Sequence, residues 1–221
     1  MREYPALLDL FCKAGGATKG YQRAGFYVVG VDIEDQPNYC GDEFYKAEAL
    51  WFLDVMWDKV IDYFDAVHAS PPCQAFTVYG NNRAHVRSDH PNLIPATREW
   101  LQALPNIPYV IENVPGAPLV DPIRLCGTSF PPLEVRRHRM FESNRPLTAP
   151  PCDHGRLTER KYPGSSNRPN GRTVCNIGEY RVPLAAQKRA IDIDWMTLPE
   201  LSQAIPPAYT EHIGRQLIAM L

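Results

Sequence analysis

Apolar residues along this chain fall into short runs separated by glycine, proline and polar stretches. Ala6-Leu7-Leu8-Asp9-Leu10-Phe11 has the density of a buried strand; Gly15-Gly16 interrupts it, and residues 17–24 read as a helix closed by Gly25. Tyr27-Val28-Val29-Gly30-Val31-Asp32 is a second strand, ending in an acid. A weaker strand near 44–47 leads into a helix around 49–59. Ala66-Val67-His68-Ala69 is the fourth strand. A helix over 96–104 is stopped by Pro105, and Tyr109-Val110-Ile111-Glu112 is a fifth strand, again ending in an acid. Strands alternating with helices predict a doubly wound α/β fold with a mostly parallel sheet.

Beyond residue 115 the texture changes. Prolines and glycines break residues 115–183 into loops and short strands, of which Arg136–Phe141 is the clearest. Helical patterning returns over 183–191 and 207–221. Changes near Ser143 and Pro183 divide the chain into a body (1–143), a small irregular segment (144–183) and C-terminal helices (184–221) that return to the body.

At 221 residues, 44% hydrophobic and 22% charged, the chain is long enough for one domain with a substantial core. No run approaches the ~18–20 apolar residues of a membrane span. Met1-Arg2-Glu3-Tyr4-Pro5 lacks the apolar stretch of a signal peptide. A cytoplasmic location, no membrane partner and free cysteines are therefore expected. The net charge of −2 by itself argues against a nucleic-acid partner, but its distribution does not. Residues 1–135 carry 10 Lys/Arg against 17 Asp/Glu, residues 136–189 carry 12 against 4, and residues 190–221 carry 1 against 4. A basic middle segment is the electrostatic footprint of a polyanion partner, or else a solvated surface loop.

Ser70-Pro71-Pro72-Cys73-Gln74 follows the fourth strand directly. Open α/β sheets place their chemistry at the carboxyl ends of strands, and a thiolate there is a nucleophile. A buried cysteine after a stiff prolyl turn gives the same pattern. The turn from Asp9 to Gly16 sets small residues at a helix start, where backbone amides and the helix dipole favour an anionic group of a nucleotide-like ligand. Asp32 is spaced to accept hydrogen bonds from a ribose diol. Both features also fit a structural turn and an aspartate cap. A polar loop over 75–89, with Arg83, His85 and Arg87, is long enough to close over a site.

Five motifs, in order, resemble those of the DNA (cytosine-5) methyltransferase family. Asp9-Leu10-Phe11 with Gly15-Gly16 is similar to its donor-binding motif, and Pro72-Cys73-Gln74 to its nucleophile motif. Glu112-Asn113-Val114 resembles its ENV motif, Arg137-His138-Arg139-Met140-Phe141 its arginine-x-arginine strand, and Ser202-Gln203-Ala204-Ile205-Pro206-Pro207 its last motif, which returns to the donor site. The resemblance implies a Rossmann-like S-adenosylmethionine-dependent methyltransferase sheet with a small irregular target-recognition segment at 144–183. It also implies double-stranded DNA as partner and a flipped cytosine methylated at C5. Cys73 would be the nucleophile, with Gln74 beside it. Glu112 would serve N3 of the base, Arg139 its O2 carbonyl, Arg137 neighbouring groups or phosphate, and Asn113 the register of the two loops. At the donor the resemblance places Asp9, Phe11, Gly15, Gly16 and Pro71, with Asp32 on the ribose and Glu48 on the adenine amine. Ile33 would lie on the adenine face or in the core.

Some features depart from the family. Lys13 stands where a glycine is usual, which is costly if φ is positive there; alternatively its ammonium pairs with a carboxylate of the donor. Ser202-Gln203 replaces glycine-asparagine. The recognition segment is short, so a short or degenerate site is expected, with Arg156, Arg160, Lys161, Arg168 and Arg172 mainly on phosphate. Cys152, His154 and Cys175 offer three zinc ligands, but their spacing fits no standard pattern and no fourth is evident, so no metal is expected. A compact monomer with no obligate protein partner, of the orphan or phage type acting in a bacterial or phage-infected cell, is the implied form. Other readings are an RNA cytosine-5 methyltransferase, a catalytically silent DNA-binding homologue and a Rossmann-type oxidoreductase; the last needs a fuller G-x-G-x-x-G turn and leaves Pro-Pro-Cys-Gln without a role.

Overall fold

The computed structural model describes residues 3–74, 76, 91–157 and 174–221. The strands are β1 (Ala6–Leu10), β2 (Tyr27–Asp32), β3 (Glu43–Lys46), β4 (Ala66–Ala69), β5 (Tyr109–Asn113), β6 (Ile123–Leu125) and β7 (Arg139–Ser143). The helices are α1 (Gly16–Ala24), α2 (Ala49–Val55), α3 (Trp57–Tyr63), α4 (Ile94–Ala103), α5 (Leu184–Ile191), α6 (Leu198–Gln203) and α7 (Pro207–Ile218).

One seven-stranded sheet has the order β3-β2-β1-β4-β5-β7-β6. The first five strands are parallel, and β7 runs antiparallel to both β5 and β6. The fold is the expected Rossmann-like, doubly wound α/β sheet. All five residues of β1 are buried, which explains its continuous apolar run. Ala6, Leu8 and Leu10 join the core beneath α2, α3 and α4, while Leu7 joins the core beneath α1, α5, α6 and α7. Strand order reverses between β1 and β4, and open sheets bind ligands outside the carboxyl ends of strands at that switch. The β1–α1 turn, Asp32, Ser70–Gln74 and Glu112 therefore gather at one edge.

Three elements differ from expectation. The helix around 49–59 is two helices, because Met56 leaves helical backbone (φ −103°, ψ 15°) and Asp58 favours a new first turn. The strand expected at 136–141 begins at Arg139, and the Arg136 and Arg137 guanidinium groups before it donate to carbonyls of other segments. Helix α6 was not anticipated; it opens on a capping box in which Thr197 and Glu200 satisfy each other's backbone amides. Nearly all of the loop 75–89 lies outside the described residues, as do Arg160, Lys161, Arg168 and Arg172. The six cysteines are free thiols. Among the described residues no helix is long and apolar enough to cross a membrane.

Candidate active site

The β1–α1 turn is left-handed at several points. Gly15 has φ +85°, and Lys13 has φ +46°, the cost expected where lysine replaces glycine. The Lys13 ammonium is held by protein carboxylates, 2.9 Å from Glu34 and 3.5 Å from Asp32. These carboxylates occupy the Lys13 ammonium in this structure. Gly16 is required by close approach: a Cβ there would sit 2.6 Å from the Ile205 carbonyl. The segment after α6 thus closes onto the turn.

This closure bounds a cavity of about 300 Å³, lined by Asp9, Phe11, Lys13, Gly16, Asp32, Ile33, Glu48, Pro71, Cys73, Glu112, Arg139 and Ile205, among others. Ile33 is 63% exposed beside it, so core packing is not its role. The buried Asp32 accepts from the Lys13 and Glu34 amides, both at 3.1 Å. Glu48 uses both carboxylate oxygens to cap α2, at 3.1 Å from Leu50 N and 2.7 Å from Trp51 N, a structural duty the adenine reading did not include.

Asp9 is wholly buried. Its Oδ2 accepts from Thr18 Oγ1 at 2.5 Å, and its Oδ1 has no partner among the described residues. Burial pushes its pKa up to about 7, with Thr18 pulling down and Asp32 pushing up. The folded pKa lies above the unfolded value, so folding favours the protonated acid. That stability is present below the ordinary carboxylate range and is lost as pH rises toward 7, at up to about 1.4 kcal/mol per pH unit. Denaturant unfolding of donor-free protein between about pH 5 and 8 should show this slope, and Asp9→Asn should remove it. An unchanged slope in the variant would refute the assignment.

Cys73 follows β4 through Pro71-Pro72, and Asn113 Nδ2 donates to the Pro71 carbonyl at 2.9 Å, joining the β4 and β5 ends. Antiparallel pairing sets Glu112 opposite Phe141. Arg139, two residues away on the same face, is its diagonal neighbour, within reach of a long side chain. Its Nε lies 2.9 Å from Glu112 Oε1. The contact is an ion pair without hydrogen-bond alignment, for Oε1 makes no hydrogen bond among the described residues. Burial nevertheless raises the Glu112 pKa, with Arg139, Ser70 and Arg137 opposing. Burial also raises the Cys73 thiol, against the pull of Arg139.

Sequence reasoning missed the support behind Glu112. Ser70 hydrogen-bonds its carboxyl. His68 Nε2 lies 2.8 Å from Ser70 Oγ, and His68 Nδ1 lies 2.9 Å from Tyr21 OH. Burial lowers the His68 pKa to about 3, so the ring is neutral, one nitrogen donating and the other accepting. The one available signal was a histidine inside an otherwise apolar strand.

A second, wider cleft adjoins the first. It is lined by Arg136, Arg137, Val174–Arg181 and Ser202, and shares Cys73, Gln74, Val114, Arg139 and Gln203 with the cavity. The cysteine stands at the junction of the two spaces. Residues 6–121 match the C-5 cytosine-specific DNA methylase family.

The chain belongs to that family. The match carries both the cysteine turn and Glu112. A methyltransferase of Entamoeba histolytica shares the fold over 99% of both chains, at TM-score 0.62 and 13% identity. An E. coli prophage protein described as a DNA modification methyltransferase (20% identity, TM-score 0.46) aligns with 62% of this chain, which covers 45% of its length. For Spodoptera frugiperda DNMT2 (20%, TM-score 0.46) the shares are 63% and 49%. The chain therefore spans about half of those two proteins. No curated protein sequence matches it. Methyltransferases of the family use S-adenosylmethionine.

Among the described residues, arginines of the basic segment donate to backbone carbonyls. Arg156 was expected on phosphate, but its guanidinium donates to the Thr128, Gly127 and Leu133 carbonyls at 3.1, 3.2 and 2.6 Å. Arg137 donates to the Ser202 carbonyl at 2.5 Å, and Arg145 to the Asn106 carbonyl at 2.8 Å.

Proposed function

We propose that this protein methylates C5 of cytosine in DNA, at a short or degenerate site, through a covalent adduct on Cys73 with the base rotated out of the helix. One observation carries the reading: Cys73 stands where the cavity meets the wider cleft, with the Glu112–Arg139 pair lining the same cavity. The cavity suits S-adenosylmethionine, a cationic nucleoside. Asp9 presents an orphaned carboxylate oxygen, Asp32 a carboxylate for the ribose, and Ile33 an exposed apolar face. Phe11, Gly15, Gly16, Glu48 and Pro71 complete the donor side. When bound, the donor supplies an electrophilic methyl group.

C5 of cytosine is a weak nucleophile. Addition of the Cys73 thiolate to C6 converts the ring to an enamine that is nucleophilic at C5. Burial favours the protonated form of Glu112, and in that form the carboxyl donates to N3 and draws electron density toward that nitrogen. Arg139 braces O2 as charge develops there, Asn113 holds the cysteine turn against β5, and Arg137 fixes the final motif through Ser202. Gln74 borders the base beside Cys73. After methylation, loss of the C5 proton and of the thiolate restores aromaticity. Residues 1–143 form the catalytic body, 144–183 the recognition segment and 184–221 the returning helices.

A 5-fluorocytosine trap tests this. Fluorine at C5 cannot leave as a proton, so the adduct persists. With S-adenosylmethionine, a denaturation-resistant adduct is expected on duplex DNA. Adduct on matched RNA alone would move the substrate class to RNA, and no adduct on either would overturn the covalent route.

A further inference from the structure

Away from both clefts, four side chains from three stretches converge. Cys126 follows β6, His138 precedes β7, and Cys152 and His154 open the segment beyond the body. Their sulfur and imidazole nitrogen atoms all lie within 4.8 Å of one another. His138 Nε2 is 3.2 Å from His154 Nε2, Cys126 Sγ is 3.5 Å from His154 Nε2, and Cys152 Sγ is 3.7 Å from His138 Nε2.

We propose that these four residues bind a structural zinc ion. A tetrahedral site with Zn–S of ~2.3 Å and Zn–N of ~2.0–2.1 Å has N···N edges near ~3.3 Å and N···S edges near ~3.5 Å. Those three separations lie within a few tenths of an ångström of such edges, and every other pair lies within 4.8 Å. A hydrogen bond between the imidazoles explains one contact, but not two thiols gathered within 4.8 Å of both rings. Two cysteines and two histidines suit a borderline-soft ion that favours tetrahedral geometry. On binding, two thiol protons leave, and two thiolates with two neutral imidazoles balance the double positive charge, which suits a partly buried site. Four protein ligands leave no open position, so the role is structural. Thr128 Oγ1, 3.1 Å from Cys126 Sγ, supports a ligand from outside the set.

The sequence obscured this site in two ways. Cys175 is not part of it: its amide donates to the Glu134 carbonyl, and it lines the wider cleft. The missing partners, Cys126 and His138, lie on separate elements and share no short spacing with Cys152 and His154. The ion would clamp residues 152–157 to β7 one residue before Arg139. Arg136 reinforces the same junction through the His154 and Leu157 carbonyls, at 2.7 and 2.5 Å.

The test is elemental analysis of the full chain purified under reducing conditions, with cobalt(II) exchange as a second readout. About one zinc per chain is expected, and the cobalt form should show the absorption of a tetrahedral thiolate site. Cys152→Ser and His154→Gln should weaken zinc binding by more than the ~10–100-fold typical of losing an outer-shell partner. Cys175→Ser should retain the metal. His154 is exposed, so its variant tests the site even if a cysteine variant misfolds. Absence of zinc together with no tetrahedral cobalt spectrum would overturn the proposal. So would zinc that survives both ligand variants or is lost only with Cys175→Ser.

Discussion

Cys73→Ser is expected to reduce methyl transfer by more than about 10³-fold while leaving the fold and donor binding intact. The reason is the acidity of the attacking group. The Cys73 thiol is already raised by burial, and Arg139 and then Arg137 are the cations that oppose this. A serine hydroxyl ionises far less readily, and the same two arginines cannot make up the difference. Single-turnover transfer of labelled methyl groups should show the loss, and the 5-fluorocytosine adduct should disappear with it. Because the side chain is partly exposed at the junction of two clefts, oxygen for sulfur should barely change unfolding. Transfer within about tenfold of the parent would exclude Cys73 as the nucleophile.

Glu112→Gln should cost about 10²–10⁴-fold, the usual worth of a positioned general acid. The pH profile is the sharper readout. The productive parent form has Glu112 protonated and Cys73 ionised. Burial raises both groups, the carboxyl above the ordinary glutamate range and the thiol above the ordinary cysteine range. Activity should therefore rise as the first proton leaves the pair and bend over as the second leaves, with apparent values that belong to the pair. Glutamine donates without titrating. The variant should therefore keep climbing on the alkaline side, following the Cys73 thiol alone, where the parent has turned down. Profiles of identical shape would show that Glu112 does not titrate in the chemistry. Ser70, backed by His68 and Tyr21, hydrogen-bonds the Glu112 carboxyl and favours its ionised form, opposing the effect of burial.

The sequence by itself determined the five parallel strands, their alternation with helices, the glycine turn after β1 and the cysteine turn after β4. These rest on local physics: apolar runs, glycine and proline geometry, and charged residues at strand ends. The five ordered motifs were legible for the same reason, as each is contiguous. Tertiary structure alone decided which groups meet. Antiparallel register at β5–β7 brings Arg139 to Glu112, and packing of the α6–α7 link on Gly16 closes the cavity. It also turned Arg156 inward onto three carbonyls and replaced Cys175 with Cys126 and His138 beside Cys152 and His154. Such contacts join residues far apart in sequence. No local periodicity encodes them, because they depend on register, crossover direction and the burial of polar atoms that must find partners once water is gone.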